Sequence, residues 1–238
     1  MPEPLTIVMP IYDGVTQLDF TGPYQFFFRT PDVKVIAASM GARPVKANGL
    51  VFAELADLRR IEGCDVLCVP GGNAIQAMED DELLAEIRRL AATATFLGSV
   101  CTGSLVLAAA GLLAGKRAAC HWAYRGRLSL FGAIPDASRV VHDGNIFSGG
   151  GITAGIDFAL VMIAELRGAE VAQDVQLALE YAPAPPFNAG SPELAPPAVV
   201  AAYHARTAAM MSENMARMER VAAQMKRQAS SAPATAAG

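Results

Sequence analysis

Residues 95–115 read TFLGSVCTGSLVLAAAGLLAG, the segment from which the fold class can be predicted most directly. A short apolar run ends at Val100, and small residues surround Cys101 before a longer apolar run begins. The first run has the length of a buried strand, and the second, with apolar residues at spacings of three and four, predicts a helix over 103–113. A buried strand that turns sharply into a helix is the repeating unit of a parallel, helix-covered sheet.

Other apolar runs rich in Val, Ile and Leu repeat this pattern. Those before Cys101 are LTIVMPIY at 5–12, VKVIAAS at 33–39 and DVLCVP at 65–70. Further helices are predicted over 81–92, 154–167, 169–181 and 197 to about 226. Shorter strands, which would extend the sheet or cap its edge, are predicted over 117–120, 139–141 and 145–148, the last two joined by an Asp143-Gly144 hairpin turn. The predicted fold class is α/β, a three-layer sandwich with a mostly parallel central sheet covered by helices on both faces.

Length and composition favour one domain. The chain has 238 residues, 53% of them hydrophobic, which is enough to bury a single large core. Six prolines within 182–197 forbid a helix there. The small and polar residues after Arg227 are typical of a disordered tail. We therefore predict a single α/β domain over 1–227 and a disordered tail over 228–238.

The charge and the cysteines bear on the compartment and the partners. There are 19 Lys and Arg against 23 Asp and Glu and no basic stripe, so a nucleic-acid partner is not expected. The start of the chain has no basic region typical of a secretory signal, and no apolar run approaches the roughly 18 to 20 residues that span a bilayer. Four cysteines at irregular spacing indicate reduced thiols. We expect a cytoplasmic protein without a membrane partner.

Cys101 is the candidate nucleophile. Its small neighbours permit the tight strand-to-helix turn that exposes a reactive atom in nucleophile elbows. At a helix N-terminus the backbone N–H groups stabilise an anion, so we expect the pKa of the Cys101 thiol to fall. The alternative is that Cys101 is a small buried core residue. Cys64, Cys68 and Cys120 lie in apolar surroundings and are expected to be structural, and their spacing does not support a zinc site.

Two other segments follow predicted strands at the same edge of the sheet. The Pro70-Gly71-Gly72-Asn73 turn would lie beside the elbow, where the N–H groups of Gly72 and Thr102 could form an oxyanion-type hole, unless it is a plain tight turn. Asp19 stands between Leu18 and Phe20, so partial desolvation would raise its pKa and make it a proton donor. The alternative is that Asp19 caps the next helix.

His121 is the one histidine predicted to approach the elbow, as a second-shell residue. It lies in the segment Ala119-Cys120-His121-Trp122, whereas His142 and His204 are expected at the surface. The residue after Cys101 is Thr102 and not a histidine. A Cys–His hydrolase mechanism is therefore possible only if His121 is well placed.

These motifs make the chain resemble the PfpI-like, class I glutamine-amidotransferase-like superfamily. The shared motifs are PGGN at 70–73, SVCTGS at 99–104 and ACHW at 119–122. More specific likeness to the members that hydrate isonitriles comes from LDFTGP at 18–23, HWAY at 121–124, GGGITAGIDFAL at 149–160 and QLALEYAPAPPFNAGSP at 176–192. The resemblance runs over about four-fifths of the chain.

The resemblance implies a cysteine-dependent lyase of the hydro-lyase type. Its substrate would be a small isonitrile, which gains water and becomes an N-substituted formamide through a covalent thioimidate on Cys101. It assigns Cys101 as nucleophile, Asp19 as acid and base, and Thr102 as the neighbour that keeps the site polar. It implies no metal, no organic cofactor, and a homodimer with the elbow near the interface.

Three other functions fit parts of the pattern. One is another small-molecule hydrolase or a deglycase-like enzyme of the superfamily, although Thr102 in place of a histidine speaks against a peptidase. A second is a ligand-sensing domain of the kind that the superfamily fuses to helix-turn-helix regulators. A third is a redox sensor in which Cys101 is oxidised to a sulfinic acid, because a thiolate is readily oxidised.

Overall fold

The computed structural model describes residues 4–231. Within them the chain forms two compact units, divided between Asn188 and Ala189. The single domain predicted over 1–227 stays a prediction. The last helix continues to Ser231, into the segment predicted as a tail, and residues 232–238 of that tail lie outside the described residues.

The first unit is built on a seven-stranded sheet. In the order in which they pair, its strands are β10 (Val140–Asp143), β11 (Ile146–Gly149), β7 (Phe96–Val100), β6 (Val66–Val69), β1 (Leu5–Pro10), β2 (Val33–Ser39) and β5 (Ala56–Asp57). All neighbours are parallel except β10 and β11, which form the predicted hairpin through Asp143 and Gly144. The mostly parallel sheet is confirmed.

Of the α-helices described within residues 4–231, six belong to the first unit and one to the second. They are α1 (Gln17–Phe28), α2 (Ala74–Met78), α3 (Asp81–Ala91), α4 (Gly103–Ala109), α5 (Ala154–Arg167), α6 (Ala169–Ala178) and, in the second unit, α7 (Pro197–Ser231). Helix α5 packs against α1 and α6, whereas α4 packs against α2 and α3. These two groups flank the sheet, which confirms the α/β sandwich. No described helix is both long enough and apolar enough to cross a membrane.

Burial explains the strand pattern. All four residues of β6 and all four of β11 are buried, as expected of central strands covered on both faces. Phe27 of α1 and Phe158 of α5 are fully buried and meet edge to face, with ring centroids 6.2 Å apart. The core therefore packs α1 and α5 against each other and against the sheet.

The structure differs from the sequence prediction in short elements. The segment around Arg117 does not join the main sheet, because β8 (Arg117–Ala118) pairs with β9 (Ile134–Pro135) in a separate parallel pair. The hairpin of β3 (Val45–Ala47) and β4 (Leu50–Phe52) was not predicted. Helix α4 ends at Ala109, before Gly111 turns into the left-handed region with φ of 82°. Three-residue strands and single turns leave too little periodicity to be seen in the sequence.

The topology places the site. From β1 the chain adds β2 on one side of β1, and it then crosses over to add β6 and β7 on the other side. The topological switch point therefore lies between β1 and β6. Ligands of doubly wound sheets bind at the carboxyl ends of the strands beside such a switch point. The residues that follow β1, β6 and β7 all lie at this edge.

Candidate active site

Cys101 occupies the predicted sharp turn between β7 and α4. Its φ is 58°, in the left-handed region that side-chain-bearing residues rarely adopt. The backbone N–H of Cys101 donates to the carbonyl of Gly149 at 3.0 Å, which fixes the turn against the end of β11. The residue is 4% exposed. The structure thus confirms the sharp turn, shows that its backbone is strained, and places the thiol in a nearly closed site.

Two glycines let the turn after β6 approach the elbow closely. A Cβ on Gly103 would lie 2.1 Å from the carbonyl oxygen of Val69, and one on Gly71 would lie 2.6 Å from the backbone nitrogen of Thr102. The Gly71 position would also bring a Cβ within 2.7 Å of Oδ2 of Asp19. Any side chain here would push apart the groups that form the site, because these contacts are far shorter than carbon atoms tolerate.

Asp19 lies inside α1 with an exposed fraction of 0%. It is not the helix cap, a position held by Thr16. Oδ2 of Asp19 accepts a hydrogen bond from the N–H of Gly71 at 3.1 Å, while Oδ1 is buried without a nitrogen or oxygen partner among the described residues. Burial raises the pKa of Asp19 to about 7, although the contact with the Cys101 thiol and the Gly71 N–H oppose the rise. The predicted upward shift is confirmed.

The expected fall in the pKa of Cys101 is wrong. Burial raises the pKa of the thiol well above its ordinary value, and the charge of Asp19 raises it further. The backbone N–H of Thr102, at the start of α4, acts in the opposite direction but is outweighed. The N-terminus of a helix of seven residues carries only a partial positive charge, which stabilises the thiolate weakly. Desolvation and the full negative charge of Asp19 destabilise the thiolate more strongly. Asp19 therefore loses its proton before Cys101 does.

The Pro70–Asn73 turn and Thr102 are joined directly. The N–H of Gly72 donates to Oγ1 of Thr102 at 2.9 Å, and the Thr102 hydroxyl lies 3.3 Å from the Gly72 carbonyl, to which it can donate. The predicted proximity of turn and elbow is confirmed. An oxyanion role for Gly72 stays a prediction and would require its N–H to leave Thr102.

Tyr12 is a site residue that the sequence analysis missed. It lies two residues after the end of β1 at Pro10, and its hydroxyl donates to the carbonyl of Pro70 at 2.9 Å. Burial raises the pKa of Tyr12, and the charges of Asp19 and Cys101 raise it further, so its phenol lies within electrostatic reach of both. The available signal was its position just past the end of a central strand, where parallel sheets place ligand-binding residues.

A buried hydrogen-bond network attaches the next segment to the elbow. The Ser104 hydroxyl donates to the carbonyl of Ala119 at 2.6 Å, and the N–H of Ala119 donates to Oγ of Ser148 at 2.8 Å. Oγ of Ser99 lies 2.9 Å from Oγ of Ser104. This network holds Cys120 near the site, where the charge of Cys120 contributes to the raised pKa of Cys101.

The remaining cysteines and His121 do not form a second catalytic or metal-binding site among the described residues. Cys64, Cys68 and Cys120 are buried free thiols whose pKa values burial raises. Among residues 4–231, no group of three or more His, Cys, Asp and Glu residues is arranged to hold a metal ion. Nδ1 of His121 accepts from the N–H of Ala123 at 3.3 Å, and burial lowers the pKa of its ring. Its second-shell role stays a prediction.

The chain is similar in sequence and in fold to proteins of known family. Residues 5–165 match the model of the DJ-1/PfpI family. Isonitrile hydratase of Pseudomonas putida is 50% identical over 223 residues, which cover 93% of this chain and 98% of that protein. A crystal structure of a ThiJ/PfpI family protein from Pseudomonas syringae superposes with a TM-score of 0.87 at 39% identity, over 92% of this chain and 90% of that chain.

A regulator shares a smaller part of the chain. The HTH-type transcriptional regulator CdhR of Pseudomonas aeruginosa is 29% identical over 144 residues, which are 59% of this chain and 42% of the regulator. The likeness to the hydratase therefore covers nearly the full length of both proteins, whereas the likeness to the regulator covers a part of each.

Proposed function

This chain belongs to the DJ-1/PfpI family, and we propose that within this family it is an isonitrile hydratase, which adds water to R–N≡C and gives R–NH–CHO. The observation that supports the proposal most directly is the buried pair of Asp19 and Cys101. The terminal carbon of an isonitrile must accept both a nucleophile and a proton. A thiol in contact with a carboxyl group of pKa about 7 supplies both at one point.

In the first step the sulfur of Cys101 attacks the terminal carbon of the isonitrile. Because the pKa of the thiol is raised, the sulfur needs a base in contact with it, and the carboxylate of Asp19 takes the proton as the S–C bond forms. Protonated Asp19 then delivers this proton to the same carbon. The product is a thioimidate, R–N=CH–S–Cys101, and no group leaves.

In the second step the carboxylate of Asp19 activates a water molecule. The water oxygen attacks the thioimidate carbon, and its proton passes through Asp19 to the nitrogen. The C–S bond then breaks, the formamide leaves, and the hydroxyl proton returns to the sulfur of Cys101. One water molecule is consumed, no cofactor takes part in the scheme, and the Cys101 thiol and the Asp19 carboxylate return to their starting state.

The neighbouring groups position this pair. The N–H of Gly71 holds Oδ2 of Asp19 and leaves Oδ1 for proton transfer. The hydroxyl of Thr102 ties the Gly72 turn to the elbow, so the distance between the turn that holds Asp19 and the residue that carries the sulfur is fixed. Thr102 thus acts in this scheme through positioning and through the polarity it gives the site.

The redox-sensor alternative is weakened by the same geometry. Peroxide-sensing cysteines are low-pKa, accessible thiolates, whereas the pKa of Cys101 is raised and the residue is 4% exposed. A ligand-sensing role is favoured only by the partial likeness to the regulator. Hydration therefore accounts for more of the site than either alternative.

The direct test is turnover of cyclohexyl and para-nitrophenyl isonitriles to the N-formamides, followed by chromatography. We expect product from wild type and from Cys64→Ala, a buried cysteine outside the pair, and none from Cys101→Ala. Asp19→Ala should form product about 1,000-fold more slowly than wild type. A mass increase on Cys101 in acid-quenched wild type would identify the thioimidate. Absence of formamide with wild type would reject the hydratase function.

We also infer a homodimer, which the resemblance implies, and a cytoplasmic location, which the cysteine pattern and the lack of a secretory signal favour. Helices α1 and α5, which pack on each other near the elbow, are the candidates for the interface. Gel filtration is expected to give about twice the chain mass of 24.9 kDa. Elution as a monomer would contradict the dimer and leave the hydratase proposal unaffected.

A further inference from the structure

Three polar side chains near the start of α5 form a bonded group that the proposed reaction does not use. Nε of Arg139 donates to Oδ2 of Asp157, and the two side chains form an ion pair. The hydroxyl of Tyr181 donates to Oδ1 of the same carboxylate at 3.1 Å. This Arg139 network joins three segments that are far apart in sequence: the residue before β10, the first turn of α5, and the chain after α6.

Arg139 also holds the glycine loop (149–153), which connects β11 to α5. Nη2 of Arg139 donates to the carbonyl of Thr153 at 3.1 Å, and the carbonyl of Arg139 accepts from the N–H of Gly150 at 2.9 Å. Successive glycines have little conformational preference of their own. Among the described residues, a Cβ on Gly151 would meet no neighbour within 4 Å, so packing does not hold this part of the loop. The bonds from Arg139 are therefore restraints that the loop itself lacks.

The glycine loop and the first turn of α5 contact the elbow directly. The carbonyl of Gly149 accepts the N–H of Cys101 at 3.0 Å. A Cβ on Gly155 would lie 3.1 Å from Cγ1 of Val100, the residue before Cys101, so α5 also packs on the end of β7. The φ of Cys101 is 58°, and a strained backbone of this kind persists only where its surroundings over-determine it. The loop and the helix supply two of the restraints that this conformation needs.

Tyr181 is itself held in place, so the network has a fixed end. Its ring meets the ring of buried Phe26 edge to face, with centroids 5.8 Å apart. Nε2 of Gln176 donates to the Tyr181 carbonyl at 3.1 Å. The phenol therefore anchors Asp157 to the core contact of α1, and the network gives a role to the segments 149–160 and 176–192, which the chemical scheme leaves unused.

We propose that Arg139 is a positioning residue for Cys101, and that it acts through the glycine loop while Asp157 and Tyr181 hold its guanidinium group. Its effect on turnover rests on the proposed function, whereas its effect on the Cys101 backbone does not. The side chains of Arg139 and Asp157 are 54% and 30% exposed, and ion pairs this accessible contribute little to overall stability. The network therefore acts on the placement of the sulfur, to which the rate of attack is sensitive.

The test measures kcat and KM for cyclohexyl isonitrile together with hydrogen exchange of the Cys101 amide, resolved by NMR. In Arg139→Met we expect kcat to fall about tenfold and KM to stay within about twofold, because the sulfur is misplaced and substrate binding is unchanged. The Cys101 amide should exchange about tenfold faster, because its bond to Gly149 opens more often. Arg139→Lys keeps a cation beside Asp157 and should recover part of kcat. Tyr181→Phe should show the same changes at about threefold.

Arg117→Met is the matched control. Arg117 forms an ion pair with Asp136 at 3.1 Å and donates to the carbonyl of His142 at 3.3 Å, and its side chain is 53% exposed. These are the same kinds of contact that Arg139 makes, but Asp136 and His142 lie outside the glycine loop and α5. Arg117→Met should match wild type in kcat and in exchange of the Cys101 amide.

Three outcomes would contradict these expectations. If Arg139→Met had the kcat and the Cys101 exchange rate of Arg117→Met, the inference would be overturned and the proposed function left intact. Equal losses in both arginine variants would also overturn it, by assigning the effect to the loss of any surface ion pair. No turnover by wild type would overturn the proposed function and the predicted effect on kcat, and exchange of the Cys101 amide would then decide whether Arg139 positions the elbow.

Discussion

Two aspartates in the first unit show how differently one side chain behaves at the centre and at the edge of the same sheet. Asp19 is fully buried beside the central strands, accepts one hydrogen bond, from Gly71, and has its pKa raised to about 7 by burial. Asp57, in the edge strand β5, accepts from Gly41 and from Arg59, and the hydrogen bond to Arg59 holds its pKa well below the usual range. One carboxyl group is kept close to its protonation equilibrium at neutral pH, and the other is a permanent anion.

The difference shows where proton chemistry is possible. Asp57 has partners for both oxygens and a cation alongside, so its proton is never available near pH 7. Asp19 has no cationic partner, one buried oxygen without a nitrogen or oxygen partner in the described chain, and a thiol in contact. A carboxyl group of this second kind can exchange a proton with a substrate, because neither of its charge states is strongly favoured.

The largest effect should come from neutralising each carboxyl group in turn. Asp19→Asn is expected to lower kcat for isonitrile hydration about 1,000-fold, because proton transfer by a positioned group contributes roughly 100- to 10,000-fold. Asp57→Asn should leave kcat within about twofold, since Asp57 lies in edge strand β5, which β6, β1 and β2 separate from β7 and the elbow. Comparable losses in both variants, measured under saturating substrate, would remove the distinction between the two aspartates.

A smaller effect is expected on stability. The pKa of Asp19 is raised in the folded protein, so its protonated form stabilises the fold below pH 3.8, and this contribution is lost as the pH rises through about 7. Asp19→Asn lacks this loss. The difference in the free energy of unfolding, variant minus wild type, should therefore be about 2 to 3 kcal/mol larger at pH 8 than at pH 5. Urea unfolding at several pH values measures it, and parallel curves would contradict it.

The smallest effect concerns the reactivity of the thiol. Since the charge of Asp19 contributes to the raised pKa of Cys101, Asp19→Asn should move the pH dependence of iodoacetamide alkylation at Cys101 to lower pH. We expect an increase of about tenfold or less in the rate at pH 8, because burial is unchanged. Mass spectrometry of the Cys101 peptide measures the rate, and Asp57→Asn is the control. An unchanged profile in Asp19→Asn would show that the two groups are not coupled.

The sequence predicted the parts of this picture that depend on local pattern. Apolar runs ending at Val69 and Val100 identified two central strands, and the small residues around Cys101 identified the sharp turn. The position of Asp19 between Leu18 and Phe20 predicted its burial and the direction of its pKa shift. Three-residue strands such as β3 and the pairing of β8 with β9 were not predicted, because so few residues show no periodicity.

The order of strands and helices, the sharp turn at Cys101 and the desolvation of Asp19 could all be predicted before the fold was known, because each follows from neighbours along the chain. Three other features arise only in the folded protein: the raised pKa of Cys101, the hydrogen bond between Thr102 and Gly72, and the contact of Tyr12 with Pro70. These features depend on charges and hydrogen bonds between segments far apart in sequence. Their sign and partners are fixed only when β1, β2, β6 and β7 bring those segments together.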